Sequence, residues 1–251
     1  MRFWKQVQKQ GKKTKTTKTR SHSKNLIGTL GEKNLHSALK AWYSRPGDRL
    51  EAEVRGFHID IVRGKTLIEI QTGHFSSQKR KLNTLIEKNP VRLVFPIARE
   101  KWIIRVGPDG KIMVGKRKSP KQGNIYHLFT ELVSLPGMIM NENFSLEVVL
   151  TREEEIRRDD GQGSWRRRGW SILDRRLVEV VGAHLFRKPA DFLELAPQGL
   201  PEPFSTRDLA HGIAQQHWLA QKMAYCLRNM GLIQVVGKKG NFLLYAIDER
   251  A

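Results

Sequence analysis

Residues 56–73, GFHIDIVRGKTLIEIQTG, alternate apolar and polar side chains on either side of Gly64-Lys65. Phe57, Ile59 and Ile61 alternate with His58, Asp60 and Val62, and Ile68 and Ile70 alternate with Leu67, Glu69 and Gln71. A period of two predicts two short strands and a tight turn, with isoleucines on one face and Asp60, Glu69 and Gln71 on the other. With Gly first in a two-residue type II′ turn, Asp60 falls opposite Glu69 and His58 opposite Gln71. Two carboxylates so placed repel unless compensated, and a divalent cation is a natural compensator.

Around this hairpin the period changes. Residues 26–43 predict a first helix with Thr29 as N-cap, Leu35, Ala38, Leu39 and Trp42 as its apolar stripe, and Thr29-x-x-Glu32 as a capping box. Pro46-Gly47 predicts a turn, and residues 50–55 a strand. Ser76 is the expected cap of a second helix with the stripe Leu82, Leu85 and Ile86, placing Gln78 and Lys79 beside the stripe and ending at Asn89-Pro90. The continuous apolar run 91–98 has the character of a buried parallel strand. Helix, three strands, helix, strand is an α/β order.

Further on, the pattern predicts a hairpin over 102–114, a basic loop over 111–121, a helix over 125–135 and strands over 144–150 and 177–186. Between the last two lies an arginine-dense stretch with the loop GQGSWRRRGW. The final third predicts short helices, with Ser205-x-x-Asp208 capping one. The next carries Leu219, Met223, Cys226, Leu227 and Met230 on its inner side and stops at Gly231. Two strands around Gly237-Lys238-Lys239-Gly240 follow, so the unit resembles a winged helix-turn-helix module. The expected division is a basic arm over 1–25, an α/β core over 26–150, an Arg-rich loop and connecting strand over 151–188, and the small α+β winged-helix-like domain over 189–251.

Charge narrows the partners. The chain has 251 residues, a formal net charge of +20, and nine Lys or Arg with no acid in its first 25 positions. Such an excess points to a polyanion, and nucleic acid is the commonest one. No apolar run has the length of a membrane span, so no membrane partner is expected. The lone Cys226 excludes an internal disulfide framework. Arginines with Trp165 and Trp170 interleaved suit phosphate contacts and base stacking. Candidate nucleic-acid contacts are Lys12, Lys13, Arg117, Arg166, Arg167, Arg168, Gln221, Lys222, Arg228, Lys238 and Lys239. The expected setting is intracellular and cytoplasmic, or nucleoid-associated in a prokaryote, with an organelle or the nucleus left open; a homodimer is also left open.

An acid in the first helix (Glu32), an acid on the second strand (Asp60) and the triplet Glu69-Ile70-Gln71 on the third resemble the PD-(D/E)XK nuclease superfamily, over roughly residues 28–98. The resemblance implies a restriction-endonuclease-like mixed sheet flanked by helices, and a nuclease that uses Mg²⁺ (or Mn²⁺) on DNA ahead of RNA. By position, Asp60, Glu69 and the Ile70 carbonyl would be metal ligands. Glu32 would be an auxiliary ligand or water-orienting acid. The family usually has lysine where Gln71 stands. Lys65 or Lys79 is then the expected source of the missing charge, and Gln78 a contact to water or phosphate. The alternatives are a nucleic-acid-binding protein on an inactive nuclease-like core, and a winged-helix regulator.

Overall fold

The structure, a computed structural model, describes residues 34–248. Thr29, Glu32, Lys12 and Lys13 lie outside the described residues. Helix α1 (Leu35–Tyr43) is capped by Asn34, whose side-chain oxygen accepts the Ser37 N–H at 2.9 Å. Leu35, Leu39 and Tyr43 recur every four residues and press on Ile61, Ile68, Ile70, Val94 and Val149. Burying each such leucine contributes about 1.5–3 kcal/mol. Trp42, expected in this stripe, is 54% exposed, because a stripe of strict four-residue spacing drifts away from it.

Seven strands form one mixed sheet in the order β1-β2-β3-β4-β6-β7, with β5 also on β4. They are β1 (Arg49–Val54), β2 (Phe57–Arg63), β3 (Thr66–Ile70), β4 (Val91–Val106), β5 (Met113–Lys118), β6 (Phe144–Asp159) and β7 (Trp170–Phe186). The expected register holds: Ile61 pairs with Ile68 and Arg63 with Thr66, and Gly64 takes the positive φ of +57° that the turn needs. After β3, a 3₁₀ turn (Phe75–Gln78) leads into α2 (Lys79–Ile86), which buries Leu82, Leu85 and Ile86. No side chain caps this turn; Ser76 lies inside it. The order helix, three strands, helix, strand is therefore present, and β4 lies parallel between β3 and β6.

β4 runs well past its apolar half. Its first part pairs with β3 and its second, from Trp102, with β5, while β6 follows it throughout. The expected basic loop 111–121 is thus mostly strand β5. The stretch 152–176, expected as an Arg-rich loop, is mainly the outer part of the β6–β7 hairpin; only 160–169 forms its tip. Long ladders here bring arginines and glutamates of neighbouring strands into register, and a pattern search tuned to apolar alternation misses them. The tip depends on Gly163, where a Cβ would meet the Trp170 carbonyl oxygen at 1.9 Å. The expected helix over 125–135 is a 3₁₀ turn (Ile125–Leu128) followed by the one-turn α3 (Phe129–Leu132).

The last third holds a 3₁₀ helix (Pro189–Leu195), β8 (Phe204–Ser205), α4 (Thr206–Gly212), α5 (His217–Asn229), β9 (Ile233–Lys239) and β10 (Phe242–Ile247). Ser205 and Asp208 form the expected capping box, and the expected apolar side of α5 is buried. The three strands pair in the order β8-β10-β9. This unit has no core of its own: Phe192, Leu209, Met223 and Leu227 share one apolar cluster with Leu82, Leu93, Phe129 and Leu146. Among the described residues, no helix is long and apolar enough to cross a membrane.

Candidate active site

The regular sheet gives way at Asp60. The β2–β3 ladder ends at Ile61 opposite Ile68, one position short of the Asp60–Glu69 pair. On the other side, β1 pairs Leu50 with Ile61 and Ala52 with Ile59, stepping over Glu51 opposite Asp60. Glu51 adopts the left-handed conformation, φ +50°, inside a strand. For a residue with a Cβ this costs on the order of 1–2 kcal/mol, and such strain collects at functional sites. Alternation also breaks: Ile61, Ile68 and Ile70 face α1, whereas Ile59 joins the opposite core with Val62 and Leu67. The isoleucines therefore do not share one face.

In the gap, the Asp60 carboxylate replaces a backbone acceptor and takes the Ile70 N–H at 2.8 Å. His36 on α1 places Nε2 3.2 Å from both Asp60 oxygens. One turn later on the same helix, Lys40 pairs with Glu51. From the other layer, α2 sends Lys81, whose Nζ is 2.7 Å from Glu69 Oε1 and donates to the His58 carbonyl at 2.5 Å. Glu69 is only 7% exposed. Glu51, His58, Ile59 and Asp60 line a cleft of about 340 Å³, so the Asp60 side of the centre opens to the surface.

These surroundings push the two carboxylates apart. Burial would raise Asp60, but the His36 hydrogen bond, the Ile70 N–H and the nearby Lys81 outweigh it, and its pKa is lowered. Burial raises Glu69 and wins over the opposing Lys81, with the Asp60 charge adding to the rise. The hydrogen bond to Asp60 raises His36 against its own desolvation. A carboxylate held ionised beside one held closer to neutrality is the usual arrangement for dividing acid and base roles.

Of the residues expected here, the structure brings together Asp60, Glu69 and Ile70. Gln71 is turned aside, donating to the His74 carbonyl at 2.9 Å and the Ser77 hydroxyl at 3.3 Å. Gln78 ends the 3₁₀ turn before α2 and makes no side-chain capping bond. Lys65 is exposed at the hairpin turn. Lys79 is exposed and lines a separate groove with Asn83 and Pro136; the lysine on Glu69 is Lys81, two positions later. Two residues along a helix is about 200°, so the neighbouring choice pointed to the wrong side. His36, Lys40 and Glu51 were not anticipated; the only sequence signal was a polar i, i+4 pair flanking the α1 stripe.

The expected nucleic-acid contacts separate into two groups. Arg117, Arg166 and Arg167 meet in a cleft of about 610 Å³ formed by the second half of β4 and its neighbours, while Arg168 sits at the hairpin tip with φ +52°. Trp165 is 81% exposed beside Arg166, and Trp170 lies 4.9 Å under Arg105. Neither tryptophan is a core residue. Gln221 and Arg228 are exposed on α5, Lys222 stands 5.9 Å over the exposed Trp218, and Lys238 and Lys239 end β9 in the open.

Residues 33–187 match the family described as a domain of unknown function, DUF8091. The chain belongs to this family. The matched region ends one residue beyond β7, so it takes in the whole seven-stranded sheet and stops before the helical unit. An uncharacterized protein of Treponema pallidum (strain Nichols) is 33% identical over 220 residues, covering 87% of this chain and 86% of that protein. An alignment of that length reaches beyond residue 187, so the likeness extends into the helical unit. No solved structure matches the chain.

The donor set suits a hard divalent cation in type: two carboxylates on adjacent strands, at a point where the ladder has opened. Mg²⁺ is commonly held by one or two carboxylates with water and phosphate oxygens completing its shell. Among the described residues, no group of three or more His, Cys, Asp or Glu side chains is placed to hold a metal. At this centre Asp60 and Glu69 are the carboxylates that could hold one, with the Ile70 N–H already on Asp60.

Proposed function

We propose that this chain is a metal-dependent nuclease that hydrolyses phosphodiester bonds of DNA, by internal cleavage. The observation that carries the reading is the Asp60–Glu69–Lys81 cluster: two carboxylates with opposed pKa shifts at an opened strand pair, and a buried-side lysine on the second acid. Lys81 supports the assignment because it restores from α2 the positive charge that Gln71 lacks. Asp60 and Glu69 would hold Mg²⁺ or Mn²⁺, which when bound lowers the pKa of water and offsets phosphate charge. Asp60 is kept ionised by His36 and the Ile70 N–H, ready to bind a cation. Glu69, raised by burial, would join Asp60 as a ligand once ionised, with Lys81 beside it to face phosphate oxygens.

We read the sheet with α1 and α2 as a restriction-endonuclease-like core and the last third as a winged-helix-like module. Support for the second comes from the strand order β8-β10-β9 around α4 and α5. The exposed Gln221 and Arg228 and the part-exposed Lys222 of α5, with Lys238 and Lys239 after it, would then follow the DNA backbone and groove. Binding of this kind weakens steeply with salt, because neutralised phosphates release counterions.

A second reading, nucleic-acid binding without cleavage, is favoured by one observation. Gln71 is tied into the 72–77 loop and is not directed at the acids. Both readings are tested by incubating the full chain with linear, branched and single-stranded DNA, with Mg²⁺, Mn²⁺ or chelator. The nuclease reading expects metal-dependent cleavage that Asp60→Ala and Glu69→Ala abolish. Salt-sensitive binding with no cleavage on any substrate gives the answer to the second.

A further inference from the structure

The cleft at the far half of β4 is built differently from the acid centre. Its floor is Glu155, 3% exposed, with Lys101 Nζ at 2.9 Å and Arg157 Nη2 at 2.6 Å; Arg175 Nε approaches to 3.9 Å. The attraction of Lys101 and Arg157 lowers the Glu155 pKa in spite of burial, so the floor carries one firm negative charge. Its rim adds Arg117 from β5, Lys121 from the following loop and Arg166 from the β6–β7 tip, all exposed and none paired with a carboxylate among the described residues. Arg167 completes the wall, its Nε donating to the Trp170 carbonyl.

Seven cationic side chains thus converge on about 610 Å³ against one carboxylate. Structure alone accounts for the floor, where Glu155 is satisfied by its two near cations. The rim is different: Arg117, Lys121 and Arg166 have no carboxylate partner among the described residues, so their like charges leave a positive field over the recess. Guanidinium forks match the geometry of phosphate oxygens. The shape is a recess, and its size lies in the range of small-molecule sites. The only aromatic ring in its lining is His127, held by Asn124, and the exposed Trp165 stands beside Arg166 outside the lining. These features select for linked phosphates more than for a base or a duplex groove.

We propose that this cleft binds a compact oligophosphate, a ligand of two or three linked phosphate groups, with Arg117, Lys121 and Arg166 as its principal contacts. The site shares no residue with the acid centre and does not rest on the nuclease reading. It also changes the expected role of Arg117, Arg166 and Arg167 from tracking a nucleic-acid backbone to enclosing a short anion.

The test is calorimetric titration of the full chain with inorganic tripolyphosphate in 0.15 M salt, about the physiological level, with a single-stranded DNA oligonucleotide as the second arm. Saturable 1:1 tripolyphosphate binding is expected. The double variant Arg117→Ala, Lys121→Ala should weaken it by about tenfold or more, since each removes a charge-assisted contact. Both side chains are exposed, so the variant should keep the wild-type melting temperature. Lys238→Ala, Lys239→Ala should leave tripolyphosphate binding within about twofold. Absence of saturable binding overturns the proposal, as does equal weakening by the two double variants. So does DNA that displaces tripolyphosphate and loses affinity in step with it in the Arg117, Lys121 variant, because the cleft would then be a stretch of nucleic-acid path.

Discussion

Around Asp60 and Glu69 each acid has its own cation, delivered from a helix: His36 to Asp60, Lys40 to Glu51 and Lys81 to Glu69. At the other half of β4 the balance is reversed, and seven cations surround Glu155 alone. Both groups sit on the same sheet, and both gather charges from several elements. The difference is in completeness. Paired charges at the first site give ionisation states tuned against each other, which suits chemistry on a bound substrate. Unpaired charges at the second leave a standing field that an anion would relieve, which suits binding.

That contrast can be broken by crossing the variants. Asp60→Ala should lower metal-dependent cleavage by about 1,000-fold while leaving tripolyphosphate binding at the wild-type level, and Arg117→Ala, Lys121→Ala should do the reverse. If either variant damages both readouts with an unchanged melting temperature, the two sites are one functional surface. Leu39→Ala tests whether α1 is what holds His36 and Lys40 in place. It should cost about 3 kcal/mol by urea unfolding, since a fully buried side chain leaves a cavity behind. A much smaller loss would mean that α1 adds little to the sheet.

Smaller effects sharpen the electrostatics. Lys81 opposes the upward shift of Glu69, so Lys81→Met should raise Glu69 further. The acid limb of the pH–rate profile should then move to higher pH, because Glu69 must ionise to bind the cation, and an unmoved limb would show that Glu69 ionisation does not govern the rate. The smallest effect is on stability. His36 is raised above its ordinary 6.5, so its contribution is present below that pH and fades as pH climbs through the folded value. Asp60 is lowered from 3.8, so its contribution is present above that pH and fades as pH falls through the folded value. Wild type should therefore exceed His36→Gln most between pH 3.8 and 6.5, by about 1 kcal/mol or less because the histidine is part-exposed. A difference that grows above pH 8 in denaturation curves contradicts the pairing.

Local pattern was enough for the hairpin. The period of two failed at Asp60, where the alternation breaks, whereas turn chemistry at Gly64-Lys65 set the register from Arg63–Thr66 to Ile61–Ile68, a property of a short contiguous stretch. The same holds for the capping box at Ser205 and the apolar sides of α2 and α5. Gln71 shows the limit: its position was legible, but its bonds to His74 and Ser77 depend on how the next loop returns.

What the chain determined by itself is Asp60 and Glu69 on two strands joined by one tight turn, and a large positive excess. Only the tertiary structure decided how those acids are answered. His36 and Lys81 approach from opposite layers of the sheet, and neither helix carries in its own sequence the position of the partner strand. Only the tertiary structure, too, joined residues as distant as Lys101 and Arg175 into one recess. Charge has no period along a chain. It acquires a geometry when long strands are laid in register, and here that register separates a paired centre from an unpaired one.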